Sequence, residues 1–91
     1  MTATVRIPTP LRPATGGQAT VAVDGDDVAG VVAALDVAHP GVAQRLLDDR
    51  GGVRRFVNIF VDDEDIRFAQ GLATPVRDGA TVSIIPAVAG G

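Results

Sequence analysis

The chain has 91 residues, of which 46% are hydrophobic and only 3% aromatic, and its formal net charge is −3. This length fits one domain with one modest core, which must be built from Val, Ile, Leu and Ala rather than from large rings. All eight basic residues are arginines, and they are scattered along the sequence, so we do not expect a nucleic acid partner. Cysteine is absent, which excludes disulfides, thiolate metal sites and a thiol nucleophile.

The sequence carries no signal for a membrane. Its longest apolar or glycine stretch, Val28 to Leu35, is far shorter than the roughly 18 residues that suggest a membrane span. The N-terminus lacks a charged region followed by an apolar one. We therefore expect a cytoplasmic protein.

Alternating polar and apolar residues predict two strands near the N-terminus. Thr4–Ile7 places Val5 and Ile7 on one face and is ended by the prolines at 8, 10 and 13. A turn at Thr15-Gly16-Gly17 leads to a second strand over Gln18–Asp24. The two strands form a hairpin with a long loop.

A helix follows the second strand. Acidic residues at positions 24, 26 and 27 suit a helix N-terminus. Val28, Val31, Val32 and Leu35 follow at helical spacing, and the helix should end near His39-Pro40-Gly41. Residues 42–48 should add one or two helical turns.

The second half of the chain returns to strand patterns. Residues 54–61 predict a strand with Val57, Ile59 and Val61 facing the helix and with Phe56, Asn58 and Phe60 on the other face. After a tight acidic turn, Ile66–Phe68 is predicted as a short edge strand, residues 70–77 as an irregular crossover, and Thr81–Ile85 as the last strand.

This order, ββαβ(β)β, predicts an α+β fold in which a mixed sheet of four to five strands packs on one main helix. We expect residues 1–86 to form the domain and residues 87–91 to form a flexible tail that ends in Gly90-Gly91. Fully extended, these five residues reach about 16 to 18 Å. Glycines at the end allow the carboxylate to enter a narrow channel in a partner.

The strand order, the length and the ending Val88-Ala89-Gly90-Gly91 resemble the ubiquitin-like β-grasp sulfur carriers of the MoaD/ThiS family, and within it the CysO-type carriers of cysteine biosynthesis. The resemblance covers the whole chain. It is carried by Ile7-Pro8-Thr9, Leu11-Arg12-Pro13, Thr15-Gly16-Gly17-Gln18, Arg55-Phe56-Val57-Asn58-Ile59, Asp63-Glu64-Asp65, Gly71-Leu72-Ala73-Thr74 and Pro86-Ala87-Val88-Ala89-Gly90-Gly91.

The resemblance implies that the chain is not an enzyme and binds no cofactor itself. An E1-like enzyme would use ATP to adenylate the Gly91 carboxylate, and a sulfur donor would then displace AMP to leave a thiocarboxylate. Val88, Ala89, Gly90 and Gly91 would enter the partner's active site.

The CysO-type pathway implies two further partners. A cysteine synthase with pyridoxal phosphate, fed with O-phosphoserine, would accept the sulfur. After an S-to-N acyl shift, a zinc metalloprotease would release cysteine from Gly91. We expect the carrier itself to be monomeric.

Two alternatives share this tail. One is a carrier for molybdopterin synthase or for thiamin thiazole synthesis, and the other is a ubiquitin-like modifier joined to target proteins. A third reading is a structural adaptor in which the tail has no role.

Two other features have functional interpretations. Phe60 and Ile85 should share the face of the sheet away from the helix and form an apolar docking patch for partners. The acidic run Asp62–Asp65 has the wrong spacing for a calcium loop, so we interpret it as a solvated turn and expect no bound metal.

Overall fold

A computed structural model describes residues 1–86 of the chain. Five strands and two α-helices make up most of this part. In chain order they are β1 (Thr2–Arg6), β2 (Thr20–Asp24), α1 (Val28–Ala38), α2 (Val42–Leu46), β3 (Val57–Val61), β4 (Glu64–Asp65) and β5 (Thr81–Pro86). Three short 3-10 helices lie at Thr9–Thr15, Ile66–Phe68 and Gly71–Ala73.

The strands form one mixed sheet in the order β2-β1-β5-β3-β4. β1 pairs antiparallel with β2 and parallel with β5, while β3 pairs antiparallel with both β5 and β4. The predicted mixed sheet with one main helix is therefore confirmed, and it has five strands.

One face of the sheet carries the core. The alternation predicted for β1 is correct, since Val5 and Ile7 are buried and Thr4 and Arg6 are exposed. α1 covers this face with the predicted residues, and its Leu35 is fully buried. The other members of the core come from all parts of the described chain and are almost entirely aliphatic: Ala3, Val21, Val23, Val28, Val31, Val32, Val42, Leu46, Ile59, Ile66, Val76, Ala80, Val82 and Ile84.

Side-chain hydrogen bonds fix both ends of α1, and the one at the N-terminus comes from one of the predicted capping residues. The Asp27 carboxylate accepts a hydrogen bond of 2.7 Å from the Gly30 N–H, which satisfies one of the free donors of the first turn. At the other end, Asp36 accepts from the N–H groups of Gly41 and Ala43 and so positions the start of α2. Within residues 1–86, neither helix has the length and apolar character needed to cross a membrane.

The predicted edge strand at Ile66–Phe68 is wrong. Asp62 and Asp63 both have positive φ angles, 47° and 73°, so the chain reverses within these two residues and β4 already begins at Glu64. The Asp65 carboxylate then accepts from the Arg67 N–H and turns the chain into a 3-10 helix. Ile66 is buried in this helix, whereas Phe68 is 84% exposed.

One predicted boundary and the conformation of one predicted loop also differ. The strand predicted from residue 54 begins at Val57, because the Arg54 N–H bonds to the Leu46 carbonyl instead of to a strand. The loop of the first hairpin is largely a 3-10 helix. Both changes lie at the end of the sheet where β5 finishes.

The packing of the β2–α1 turn gives a test of the fold. An added Cβ at Gly25 would lie 2.6 Å from the backbone nitrogen of Val31 and 2.9 Å from the carbonyl carbon of Gly30. Gly25→Ala should therefore push α1 away from the sheet and lower the free energy of unfolding by about 1–3 kcal/mol. Urea denaturation is the measurement.

Gly52→Ala is the matched control, because its Cβ would meet only Asp48 carboxylate oxygens at 3.7 and 3.8 Å. It should change the free energy of unfolding by less than about 0.5 kcal/mol. Equal stability of the two variants would contradict the close contact between Gly25 and α1.

Candidate functional site

The end of β5 is held in the middle of the sheet. Pro86, its last residue, is opposite Val57 of β3, and Ile84 is opposite Ile59. Ile84 and Ile59 are both buried, so this part of β5 is anchored by the core as well as by strand pairing. The sheet therefore fixes the point from which residues 87–91 continue.

On its other side, β5 loses its partner before it ends. The parallel pairing with β1 stops at Arg6 and Ser83. Thr4 N–H donates to the Ala80 carbonyl at 2.9 Å, and parallel strands donate from alternate residues, so the next donors in this series are residues 6 and 8. Residue 8 is proline, which has no N–H, and the ladder ends there.

A groove of about 380 Å³ lies where the two strands separate. Pro8 and the last three residues of β5 form apolar parts of its wall, and Arg6 and Arg12 line the same groove. The Arg12 Nε donates a hydrogen bond of 3.2 Å to the Ile7 carbonyl, which holds this side chain against the end of β1. The groove thus joins the base of the tail to the open face of the sheet.

The predicted patch residues lie on that open face. Phe60 is opposite Ser83, and Ile85 is opposite Asn58, so Phe60 and Ile85 are diagonal neighbours on adjacent strands. Ile85 is 47% exposed and Phe60 is partly buried. Among the five described strands, no other large apolar side chain points to this face: its remaining residues are Thr2, Thr4, Arg6, Thr20, Ala22, Asp24, Asn58, Asp65, Thr81 and Ser83.

The predicted reacting residue, Gly91, and the residues predicted to enter a partner's active site, Val88, Ala89, Gly90 and Gly91, lie outside the described residues. The structure brings Ile85 to the strand end that precedes them and Phe60 to the next strand. The docking role of these two side chains stays a prediction.

The acidic run lies at the opposite end of the sheet. Asp62 accepts a hydrogen bond of 2.9 Å from the Thr81 N–H, and Asp65 pairs with the Arg67 guanidinium at 2.8 Å. The side-chain hydrogen bond from Arg67, followed by that from its backbone N–H, holds the pKa of Asp65 below its ordinary value of 3.8. Two of the four carboxylates therefore serve the local fold.

Sequence reasoning missed the groove and its two arginines. From the sequence alone, the prolines at 8, 10 and 13 indicate only the end of a strand, because the sequence does not show which strand pairs with β1. The signal that indicates the groove is Pro8, which lies two residues after the end of β1. It has no N–H with which to continue the pairing to β5.

The groove is lined by apolar side chains, two arginines and the hydroxyl-bearing residues Thr20 and Ser83. Within residues 1–86 no three His, Asp or Glu side chains are grouped so that they could hold a metal ion. This end of the sheet therefore combines a well-paired strand end with a partly exposed apolar surface next to it.

Comparisons with known proteins match the whole chain. The model of the ThiS family matches residues 5–91. The sulfur carrier protein CysO of Mycobacterium tuberculosis is 52% identical over 93 residues, and the match covers all of both chains. Small archaeal modifier protein 3 of Haloferax volcanii is 39% identical over 70 residues, covering 76% of this chain and 75% of that protein.

Solved structures agree with the sequence matches. The crystal structure of M. tuberculosis CysO superposes with a TM-score of 0.91 and 50% identity, covering 94% of this chain and 99% of that one. CysO in the crystal structure of the Amycolatopsis orientalis BexX/CysO complex gives a TM-score of 0.92 and 44% identity, covering 98% and 99%. The predicted ubiquitin-like β-grasp fold is thus confirmed, and the chain belongs to the ThiS family as a CysO-like sulfur carrier protein.

Proposed function

We propose that this carrier works through a thiocarboxylate on Gly91 and supplies sulfur for cysteine biosynthesis. The observation that supports the proposal most directly is the match to CysO along both entire chains, which includes the terminal Gly90-Gly91. The rigid β5 and the groove at its end are consistent with a tail that a partner's active site receives.

The chemistry requires an activating partner. A carboxylate has no good leaving group, so ATP must first convert the Gly91 carboxylate to an acyl adenylate with release of pyrophosphate. Sulfide then attacks the carbonyl carbon and AMP leaves, which gives the thiocarboxylate. The E1-like enzyme binds ATP and the carrier supplies only the acyl group, so we propose that the carrier is not itself an enzyme. We also propose that it acts in the cytoplasm.

The acceptor we propose is a cysteine synthase that uses pyridoxal phosphate and O-phosphoserine. The thiocarboxylate sulfur would attack the carbon from which phosphate has left, and an S-to-N acyl shift would join cysteine to Gly91 by an amide bond. A zinc metalloprotease would hydrolyse that bond and regenerate the carboxylate. The BexX/CysO complex supports a related point, namely that a protein with this fold binds a partner protein.

A second candidate function is conjugation to proteins. The likeness to small archaeal modifier protein 3 supports it, since a modifier needs the same carboxyl activation. Intact mass distinguishes the two: a carrier exchanges one oxygen for sulfur, whereas a modifier forms an amide-linked adduct with a target. The molybdopterin and thiazole carriers remain alternatives within the first class.

The first test concerns the end of the chain. Deleting Gly91, or adding one alanine after it, should abolish thiocarboxylate formation, because the activating site must receive a free glycine carboxylate through a narrow channel. Incubation with activating enzyme, ATP and sulfide, followed by intact mass spectrometry, measures the product.

One alanine added at the N-terminus is the control, since the Met1 amino group lies 3.7 Å from Asp26, at the end of the sheet remote from Pro86. This variant should be converted in full. Full conversion of the variant with an extra C-terminal alanine would contradict the role of Gly91.

The second test concerns the patch formed by Phe60 and Ile85. Phe60→Asp or Ile85→Asp should weaken binding to the activating enzyme by about 2 kcal/mol or more, the scale of a lost apolar anchor at an interface. Isothermal titration calorimetry is the measurement. Thermal unfolding should change little for Ile85→Asp, because that side chain is about half exposed.

Val37→Asp is the matched control. Val37 is 82% exposed on α1, on the other side of the sheet, and the substitution is of the same kind. Binding should stay within about twofold of the unmodified chain. Equal losses for Val37→Asp and Ile85→Asp would refute the patch.

The third test concerns the pathway. The purified thiocarboxylate, mixed with a CysO-type cysteine synthase and O-phosphoserine, should yield a carrier with cysteine at its C-terminus, detected by intact mass. Specificity lies in the surface of the domain rather than in two glycines, so a carrier for molybdopterin would bind this synthase poorly. A thiocarboxylate that survives with the synthase but is consumed by a molybdopterin synthase large subunit would move the carrier to that pathway.

A further inference from the structure

The charges of the described chain are separated along the strand direction. β1 and β5 run parallel and finish at the same end of the sheet, where β3 begins, because Val57 is opposite Pro86. We call this the exit end. Arginines cluster around it from three segments: Arg6 ends β1, Arg12 lies in the following 3-10 helix, and Arg54 and Arg55 come just before β3.

These four residues, the arginine collar, flank the end of β5 on two sides. Arg6 and Arg12 line the groove together with Ile85 and Pro86. Arg54 and Arg55 line a neighbouring depression with Val57, the residue opposite Pro86. The end of β5 therefore lies between a groove lined by Arg6 and Arg12 and a depression lined by Arg54 and Arg55.

The opposite end of the sheet is acidic. β2 and β3 finish there and β5 begins there, and the turns at these points are rich in carboxylates. The acidic residues of this end are Asp24, Asp26, Asp27, Asp62, Asp63, Glu64 and Asp78. The chain has a formal net charge of −3, yet the arginines near its exit end outnumber the carboxylates there, Asp48 and Asp49.

The collar has no ionic partner within the described residues. The two ion pairs of residues 1–86, Met1–Asp26 and Asp65–Arg67, both involve other groups. Arg12 and Arg54 donate from Nε to the Ile7 and Gln44 carbonyls, which leaves their terminal nitrogens available. Asp48 lies near Arg54 and Arg55, but its Oδ1 accepts from the N–H groups of Arg50 and Gly52.

We propose that the arginine collar binds acidic side chains at the mouth of the partner active site that receives the tail. This inference rests on the proposed function, because only a partner that takes up the tail must approach the exit end. Guanidinium groups form two-pronged hydrogen bonds with carboxylates and suit such a contact.

The separation of charge would also orient the carrier relative to its partner as the two proteins associate. A partner with an acidic mouth is attracted by the exit end and repelled by the acidic end, so the two proteins meet with the tail directed at the channel. Such complementarity acts mainly on the association rate and weakens with salt. Nucleic acid fits less well, since the molecule as a whole is acidic and the four arginines surround a strand end.

Association kinetics test the collar. The probe is the activating enzyme encoded in the same genome, and the rate is measured by stopped flow between about 20 mM and 1 M salt, where the screening length falls to about 3 Å. Arg6→Glu and Arg55→Glu should each reduce the low-salt association rate by at least about fivefold. The low-salt association rate of Arg6→Gln should lie between those of Arg6→Glu and the unmodified chain. The association rates of all variants should converge at high salt.

Arg77→Glu is the matched control. Arg77 is exposed and lies next to Asp78 at the acidic end, and the substitution changes the net charge by the same amount. Its association rate should stay within about twofold of the unmodified chain. Since Arg6 and Arg55 are exposed, thermal unfolding of all variants should match the unmodified chain.

Three results would overturn the inference while leaving the proposed function intact, provided that the unmodified chain still gains sulfur. The first is an equal loss of association rate in Arg6→Glu and Arg77→Glu. The second is association rates that do not depend on salt. The third is binding of the unmodified chain to duplex DNA that the collar variants lose. An unmodified chain that never becomes a thiocarboxylate would overturn both the function and the collar.

Discussion

The parallel pairing of β1 with β5 is the contact on which the rest of this structure depends. It joins residues 4–6 to residues 81–83, almost the full length of the chain apart, and places the first and last strands side by side in the middle of the sheet. Val5 and Val82 are opposite each other in this pairing, and both are buried on the face that α1 covers. Closing so long a loop costs entropy that only a shared core offsets.

This one pairing also sets where the last strand ends. Because β1 and β5 are parallel, both finish at the same end of the sheet. Pro8 then stops the pairing two residues after Arg6 and opens the groove. Pro8, which has no N–H, thus marks the point where the first loop separates from β5.

Much of the fold was predictable because the aliphatic pattern is regular. The alternation in β1 and the helical spacing from Val28 to Leu35 identified buried residues correctly. The faces of β3 and β5 followed from the same alternation, so Phe60 and Ile85 were placed together before their partners were known. Pattern reasoning succeeded wherever one face of an element meets the core.

It failed where local hydrogen bonds, rather than burial, decide the backbone. Ile66 and Phe68 are spaced like strand residues, but the Asp65 side chain captures the Arg67 N–H and winds the segment into a 3-10 helix. The groove was not predictable either, because Pro8 opens it only by ending the pairing with a strand more than 70 positions away. The proposed role of Gly91 comes from resemblance, because no spacing of residues could assign it.

The central position of β5 also determines how the domain responds to force. Pulling on the C-terminus loads β5 along its own axis, and β1 on one side and β3 on the other resist the pull. The hydrogen bonds on both sides run across the strand, so they are sheared together instead of opening one at a time from an edge. The domain should therefore stay folded when β5 is pulled along its axis from its C-terminal end.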